Sequence, residues 1–198
     1  YDPQEWSNEK MSAQSVNLNC EKCGFQSSTR ETWGEFYYLH NELKIPINRT
    51  LGWCRQCDKI CAIEDFSQQK NICEEIESLL SYFNNDYSQK KVLFISKKVR
   101  EDRLFKLNLI QILNEQLKLI STRIGTEKCL NCGSSKIDSS IGEILSTMQD
   151  RIQHNTGVIG TGVIHPNCGG EIIASPSPIH ITMEFTPRFY KRDGSQKS

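Results

Sequence analysis

The sequence has no hydrophobic run long enough to cross a bilayer: its longest unbroken aliphatic or aromatic stretch is Val92-Leu93-Phe94-Ile95, against roughly 20 residues for a spanning helix. No membrane association is expected. It has no excess of charge either. Lys and Arg number 24 and Asp and Glu also 24, so no overall field exists to hold a polyanion and sequence-blind wrapping of nucleic acid is excluded. Residues 1 to 19 contain no apolar segment of secretory type, which gives the expectation of a cytoplasmic chain. Apolar residues are themselves scarce, at 37% of the total. Adding the 12 glycines brings the figure to about 43%, still below the usual 45 to 50%. A chain of 198 residues is one ordinary domain or two small ones, and here its core must be modest. No nucleophile elbow, P-loop or His-Glu-x-x-His pattern is present.

Cysteine, by contrast, is abundant and ordered. Six of the nine cysteines fall into Cys-x-x-Cys pairs: Cys20 with Cys23, Cys54 with Cys57, Cys129 with Cys132. Chance at this frequency gives about 0.4 such pairs. A fourth half-site, His165-Pro-Asn-Cys168, has the same gap. Two intervening residues let both side chains reach one ion while backbone amides point back at the sulfurs. Gly24, Gly133 and Gly169 follow three of the half-sites, as a knuckle needing positive φ would favour. Disulfides fit poorly, because the count is odd and an imidazole stands at one ligand position. A redox pair would normally be single and thioredoxin-like.

Four half-sites make two tetrahedral sets, giving an expectation of two zinc ions per chain. Loop lengths favour sequential pairing, with Cys20, Cys23, Cys54 and Cys57 as one set and Cys129, Cys132, His165 and Cys168 as the other. The loops inside those sets are 30 and 32 residues long. A cross-braced alternative, joining the first half-site to the third, carries the 71-residue middle segment between the metals. Cys61, four residues past Cys57, is an alternative fourth ligand, and Cys73 reads as a small core residue on a helix.

Cys20-Glu-Lys-Cys23-Gly, Gly52-Trp-Cys54-Arg-Gln-Cys57, Cys129-Leu-Asn-Cys132-Gly and His165-Pro-Asn-Cys168-Gly-Gly resemble the motifs of zinc-ribbon and zinc-knuckle proteins. The resemblance is confined to the ligand motifs and their neighbours. It implies short antiparallel sheets clamped by zinc, used for binding protein or nucleic acid and seldom for chemistry.

The rest of the chain reads as an α+β arrangement of two small zinc-ribbon-like β modules joined by an α-helical hairpin. Residues 1–15 form a flexible lead-in, 16–65 the first module, 66–125 the hairpin, 126–186 the second module and 187–198 a basic flexible tail. Trp33, Phe36, Tyr37 and Tyr38 are expected to form a small core over the first zinc, or else a stacking surface. His40 is expected not to bind metal. Ile72, Ile76, Leu79, Leu80 and Phe83 repeat at helical spacing, and Asn84-Asn85-Asp86 reads as the break after them. Leu107, Ile110, Leu113, Leu117, Ile120 and Ile124 mark a second helix stopped by Gly125. The 3,4,3,4 spacing at its end also suits a homodimer seam over 102–124. Val92 to Ile95 fits helix or strand, with helix preferred. In the second module a short helix is expected over Ile141 to Asn155, then strands over Gly157–Ile164, Ile172–Ile173 and Ile179–Phe185, the last two separated by a turn at Pro176 and Pro178.

Locally the charge is uneven. Residues 64–86 are acidic and 89–106 basic, which favours attraction between the two helices. The alternative leaves Lys97, Lys98, Arg100 and Arg103, with Arg188, Lys191 and Arg192, as a phosphate-binding face. The preferred function is thus a zinc-stabilised adaptor that binds a protein partner. The second is a nucleic-acid-binding regulator using the basic segment. A zinc enzyme ranks last, since four ligands leave no open position. Its one route is a Cys129, Cys132, Cys168 site with His165 unbound and His154 or Glu171 as a base.

Overall fold

The computed structural model describes residues 12–89, 97–154, 157–182 and 186–196, and in it the first strand pairs with one near the far end of the chain. β1 (Ser12–Cys20) lies antiparallel to β9 (Glu171–Thr182), with Leu18 opposite Ala174 and Cys20 opposite Ile172. With β2 (Gln26–Ser28) and β8 (Ile159–Ile164) they form a sheet of order β2-β1-β9-β8. Each outer strand is joined to its neighbour by a hairpin turn, and each turn carries a half-site: Cys20 to Cys23 in one, His165 to Cys168 in the other.

A second sheet places β5 (Arg49–Cys54) between β6 (Lys59–Glu64) and β7 (Ile137–Asp138), the β5–β6 turn carrying Cys54 and Cys57. An antiparallel bridge from Ile63 to Cys129 brings the third half-site onto the edge of this sheet. Between the two sheets and α3 (Ser140–His154) lies one apolar core of Leu18, Leu51, Trp53, Ile60, Ile141, Leu145 and Ile172. Helix α3 packs so tightly on β5 that a Cβ on Gly142 would come 2.5 Å from the Leu51 carbonyl oxygen. Strands from residues 16–65 and 126–186 thus share two sheets, where the sequence suggested one module for each segment.

The third sheet is β10 (Arg188–Tyr190), β3 (Phe36–His40) and β4 (Leu43–Pro46), with β10 parallel to β3. Its inner face, Phe36, Tyr38, Ile45 and Tyr190, joins Phe66, Ile72, Ile76, Leu113, Leu119 and Ile120 in a second core. Of the aromatic cluster, Phe36 and Tyr38 are therefore core under the helices, whereas Trp33 and Tyr37 are only half-buried and lie outside that core. The helices α1 (Gln69–Gln89) and α2 (Lys97–Arg123) run antiparallel. The Tyr82 hydroxyl donates to Asp102 at 3.0 Å, and the Lys106 ammonium sits 3.9 Å from the Tyr82 ring centroid. Gly125 ends α2 at φ 79°, as its position implied.

Several expectations are corrected. Asn84-Asn85-Asp86 lies inside α1; Asn and Asp cost at most about 0.7 kcal/mol each against Ala, which helix continuation and packing override. β9 is one strand running through Pro176 and Pro178, with no turn between them. Its register slips between Gln14 and Val16, and β8 pairs with it only up to Ala174, so the prolines fall where a ladder is bulged and one edge is open. The tail expected to be flexible holds a paired strand, with Tyr190 only 1% exposed. Of the lead-in, Ser12 onward is strand and residues 1–11 lie outside the described residues, as do Val92–Ile95 and Met183–Phe185. On α2, Leu113 and Ile120 of the seam considered for a dimer are buried within the chain, whereas Leu107 and Ile124 are exposed.

One charged cluster ties these parts together. Glu64, on β6 and with a fully buried side chain, receives the Arg123 guanidinium at 2.9 and 2.5 Å, the Tyr38 hydroxyl at 2.5 Å and the Lys128 amide at 2.9 Å. Arg123 also donates to the Arg192 carbonyl at 3.0 Å, fastening the segment after β10 to the end of α2. Burial, followed by the Glu64 charge, pushes the Tyr38 phenol far above its ordinary range, so it stays a donor.

Candidate metal centres

The eight half-site residues do come together in two groups of four, but the pairing is nested. Cys20, Cys23, His165 and Cys168 form one group and Cys54, Cys57, Cys129 and Cys132 the other, all donor atoms within each lying inside 4.8 Å. The first half-site thus meets the fourth and the second meets the third, which corrects both the sequential pairing and the cross-braced alternative. The reason is energetic. Closing the 141- and 71-residue segments now enclosed, in place of 30 and 32, adds only about 2 kcal/mol of loop entropy in all. Pairing of β1 with β9, and of β5 with β7, outweighs that.

The donor spacing suits a small tetrahedral ion. Bonds of about 2.3 Å from zinc to sulfur put two sulfurs about 3.8 Å apart. In the four-cysteine group Cys54 Sγ lies 3.6 Å from Cys132 Sγ, and Cys57 Sγ 3.9 Å from Cys129 Sγ. The other group is tighter: Cys20 Sγ to Cys168 Sγ is 3.3 Å, and His165 Nδ1 is 3.4 Å from Cys23 Sγ and 3.0 Å from Cys168 Sγ. Thiolates and one imidazole, with no carboxylate among them, select zinc over the hard ions.

Backbone amides complete each knuckle. Lys22 N reaches Cys20 Sγ, Gly170 N Cys168 Sγ, Asn131 N Cys129 Sγ and Cys57 N Cys54 Sγ, each at 3.4 Å. Such donors spread the negative charge that three thiolates accumulate in one centre and four in the other. Gly133 and Gly169 take the expected positive φ, at 74° and 68°, whereas Gly24 does not. At the remaining knuckle Asp58 takes that role at φ 51°. Its carboxylate is held by Asn167 Nδ2 at 2.8 Å to both oxygens, so a knuckle of one centre grips a knuckle of the other.

His165 is 4% exposed and enclosed by aromatic rings, Phe25 stacked at 4.7 Å between centroids and Trp53 edge-on at 5.0 Å. With Nδ1 among the sulfurs, its Nε2 is buried without a hydrogen-bond partner. These rings fix the imidazole plane, a task usually given to a carboxylate. No feature of the sequence other than Trp53 preceding Cys54 signalled this box.

Cys61 is buried but lies outside both groups. It borders the four-cysteine centre, and its hydrogen bonding, followed by burial, pushes the Cys129 thiol up to about 12. Cys73 is half-buried on α1 and likewise apart, as is His40, whose Nε2 lies 3.4 Å from Arg192. The Cys129, Cys132, Cys168 set considered for an open site is not assembled, since Cys168 and the Cys129–Cys132 pair belong to different groups.

The basic residues expected to make one face are divided. Lys97, Lys98 and Arg100 are exposed near the start of α2, and Lys97 pairs with Glu101. Arg192 lies by His40 and near Glu115, well over 20 Å along α2 from Lys98. The ion pairs Lys70–Glu74 and Lys106–Asp102 run along their own helices, so the acid-base contrast between the helices is expressed within each helix as well.

The fold and these centres define a mixed α+β chain with two metal-binding groups, and among the described residues no helix is long and apolar enough to cross a membrane. Compared with known proteins, it matches no family model, no curated protein and no solved structure.

Proposed function

We propose that the chain is a zinc protein whose two ions are structural and whose work is recognition rather than catalysis. The observation that carries this reading is that each group presents four soft donors from two knuckles, which fills a tetrahedral ion and leaves no position for substrate. In the first centre Cys20, Cys23, Cys168 and His165 hold the ion; in the second Cys54, Cys57, Cys129 and Cys132 do. Zinc, when bound, supplies cross-links that a chain with 37% hydrophobic residues lacks. Such sites contribute about 10 kcal/mol or more to folding in zinc-finger peptides. The first ion would join the two hairpins of the four-stranded sheet and the second would join the β5–β6 turn to the Cys129 knuckle at the edge of the β6-β5-β7 sheet, which leaves other surfaces for a partner.

Metal analysis with native mass spectrometry on protein purified without added zinc tests this. The expected result is two zinc ions per chain and loss of the circular dichroism of the fold on chelation. A metal-free chain that stays folded overturns the proposal.

A further inference from the structure

The sheet β10-β3-β4 has a solvent face that neither centre uses. Its inner residues are core, and strand alternation sends Tyr37, Leu39, Lys44, Pro46 and Phe189 outward. Register puts Phe189, Tyr37 and Pro46 in one row across the strands, with Leu39 and Lys44 paired in the next. The Tyr37 and Phe189 rings stand side by side, centroids 6.1 Å apart and inclined by 27°. Two cations border the pair on this face: Lys44 Nζ is 5.7 Å from the Phe189 centroid, and exposed Lys191 follows two residues after Phe189, whereas Arg188 lies over the Phe36 ring on the inner face, 4.9 Å from its centroid. Burial, followed by the charge and hydrogen bonding of Glu35, raises the Tyr37 phenol above its ordinary range.

The platform is also fixed in place. Tyr190 donates to the Leu130 carbonyl at 2.8 Å, Arg123 to that of Arg192 at 3.0 Å, and Lys128 to that of Asp193. A preformed surface loses little entropy on binding.

We infer that this sheet face binds single-stranded nucleic acid, two neighbouring bases stacking on Tyr37 and Phe189 while Lys44 and Lys191 meet the backbone phosphates. Stacking suits any base, because every base has a π face. The phosphate contacts are few, which agrees with a chain of zero net charge. A proline-rich peptide also docks on aromatic rings, but the flanking cations favour the polyanion. The inference rests on the recognition reading above and names its partner class; it places the surface on the third sheet, away from the basic start of α2.

The test is fluorescence anisotropy of labelled dT12 and rU12 with the zinc-loaded full chain at several salt concentrations. Binding is expected to weaken with a log–log salt slope of about −1.4, as two phosphate contacts give on single strands. Tyr37→Ala and Phe189→Leu should each reduce affinity at least fivefold. Lys44→Glu with Lys191→Glu, a surface change that spares the core, should do the same. Lys97→Gln with Lys98→Gln and Arg100→Gln should leave it within twofold. Failure to bind at low salt by a chain carrying two zinc ions overturns this inference and leaves the metal reading intact, whereas a chain without zinc overturns the reading beneath it. Binding that depends on Lys97, Lys98 and Arg100, or preference for a proline-rich peptide over both oligonucleotides, also overturns it.

Discussion

Trp53 stands edge-on to His165, the ring centroids 5.0 Å apart at 74°, and this contact joins the two metal centres. Trp53 precedes Cys54, a donor of one centre, while His165 is a donor of the other. The Asn167–Asp58 bond is a second link between the same knuckles. Removing zinc frees His165 and should alter the environment of Trp53. Indole emission is therefore expected to shift on chelation in the wild type, and the shift should be smaller in Trp53→Phe, where half-buried Trp33 still reports the loss of the fold. An undiminished shift in the variant would place its source elsewhere.

The Glu64–Arg123 pair makes a second expectation. Glu64 has no exposed side-chain surface and Arg123 keeps 11%. Arg123→Leu leaves a buried carboxylate without its counter-charge, a change that costs about 3–5 kcal/mol, readable as a lowered urea midpoint. Tyr38→Phe removes one of several donors and should cost about 1 kcal/mol. Equal effects from the two would show that the ion pair does not dominate this cluster.

Much of this architecture was legible in the sequence because its signals are local. Two-residue ligand gaps identified all eight donors, helical spacing identified α1, α2 and α3, and Gly125 marked the end of α2. What was not legible depends on long-range pairing. Nothing in the neighbourhood of Cys20 says that β1 will lie against β9, and loop length is a poor guide because its entropy grows only with a logarithm. Arg123, at the end of α2, has Glu64 as its main partner, 59 residues away, a pairing no local pattern announces. Pro176 and Pro178 carried a strong turn signal that a bulged ladder overrode.

Gly170 gives a third expectation, tied to the centre itself. A Cβ there would lie 2.7 Å from Cys20 Sγ and 2.5 Å from Lys22 Cβ. Gly170→Ala must displace a ligand knuckle and should weaken zinc at the Cys20, Cys23, His165, Cys168 centre at least tenfold, as measured by competition with a chromophoric chelator. Gly24→Ala is the control, since a Cβ there meets nothing within 4 Å, and its affinity should match that of the wild type.

The nested pairing is tested most directly by counting zinc in two double variants. Cys20→Ala with Cys168→Ala damages one centre and should leave one zinc per chain, whereas Cys20→Ala with Cys57→Ala damages both and should leave none bound tightly. The reverse pattern, one zinc in the second variant and none in the first, would mean that neighbouring half-sites pair along the chain, and would contradict the structure's central feature.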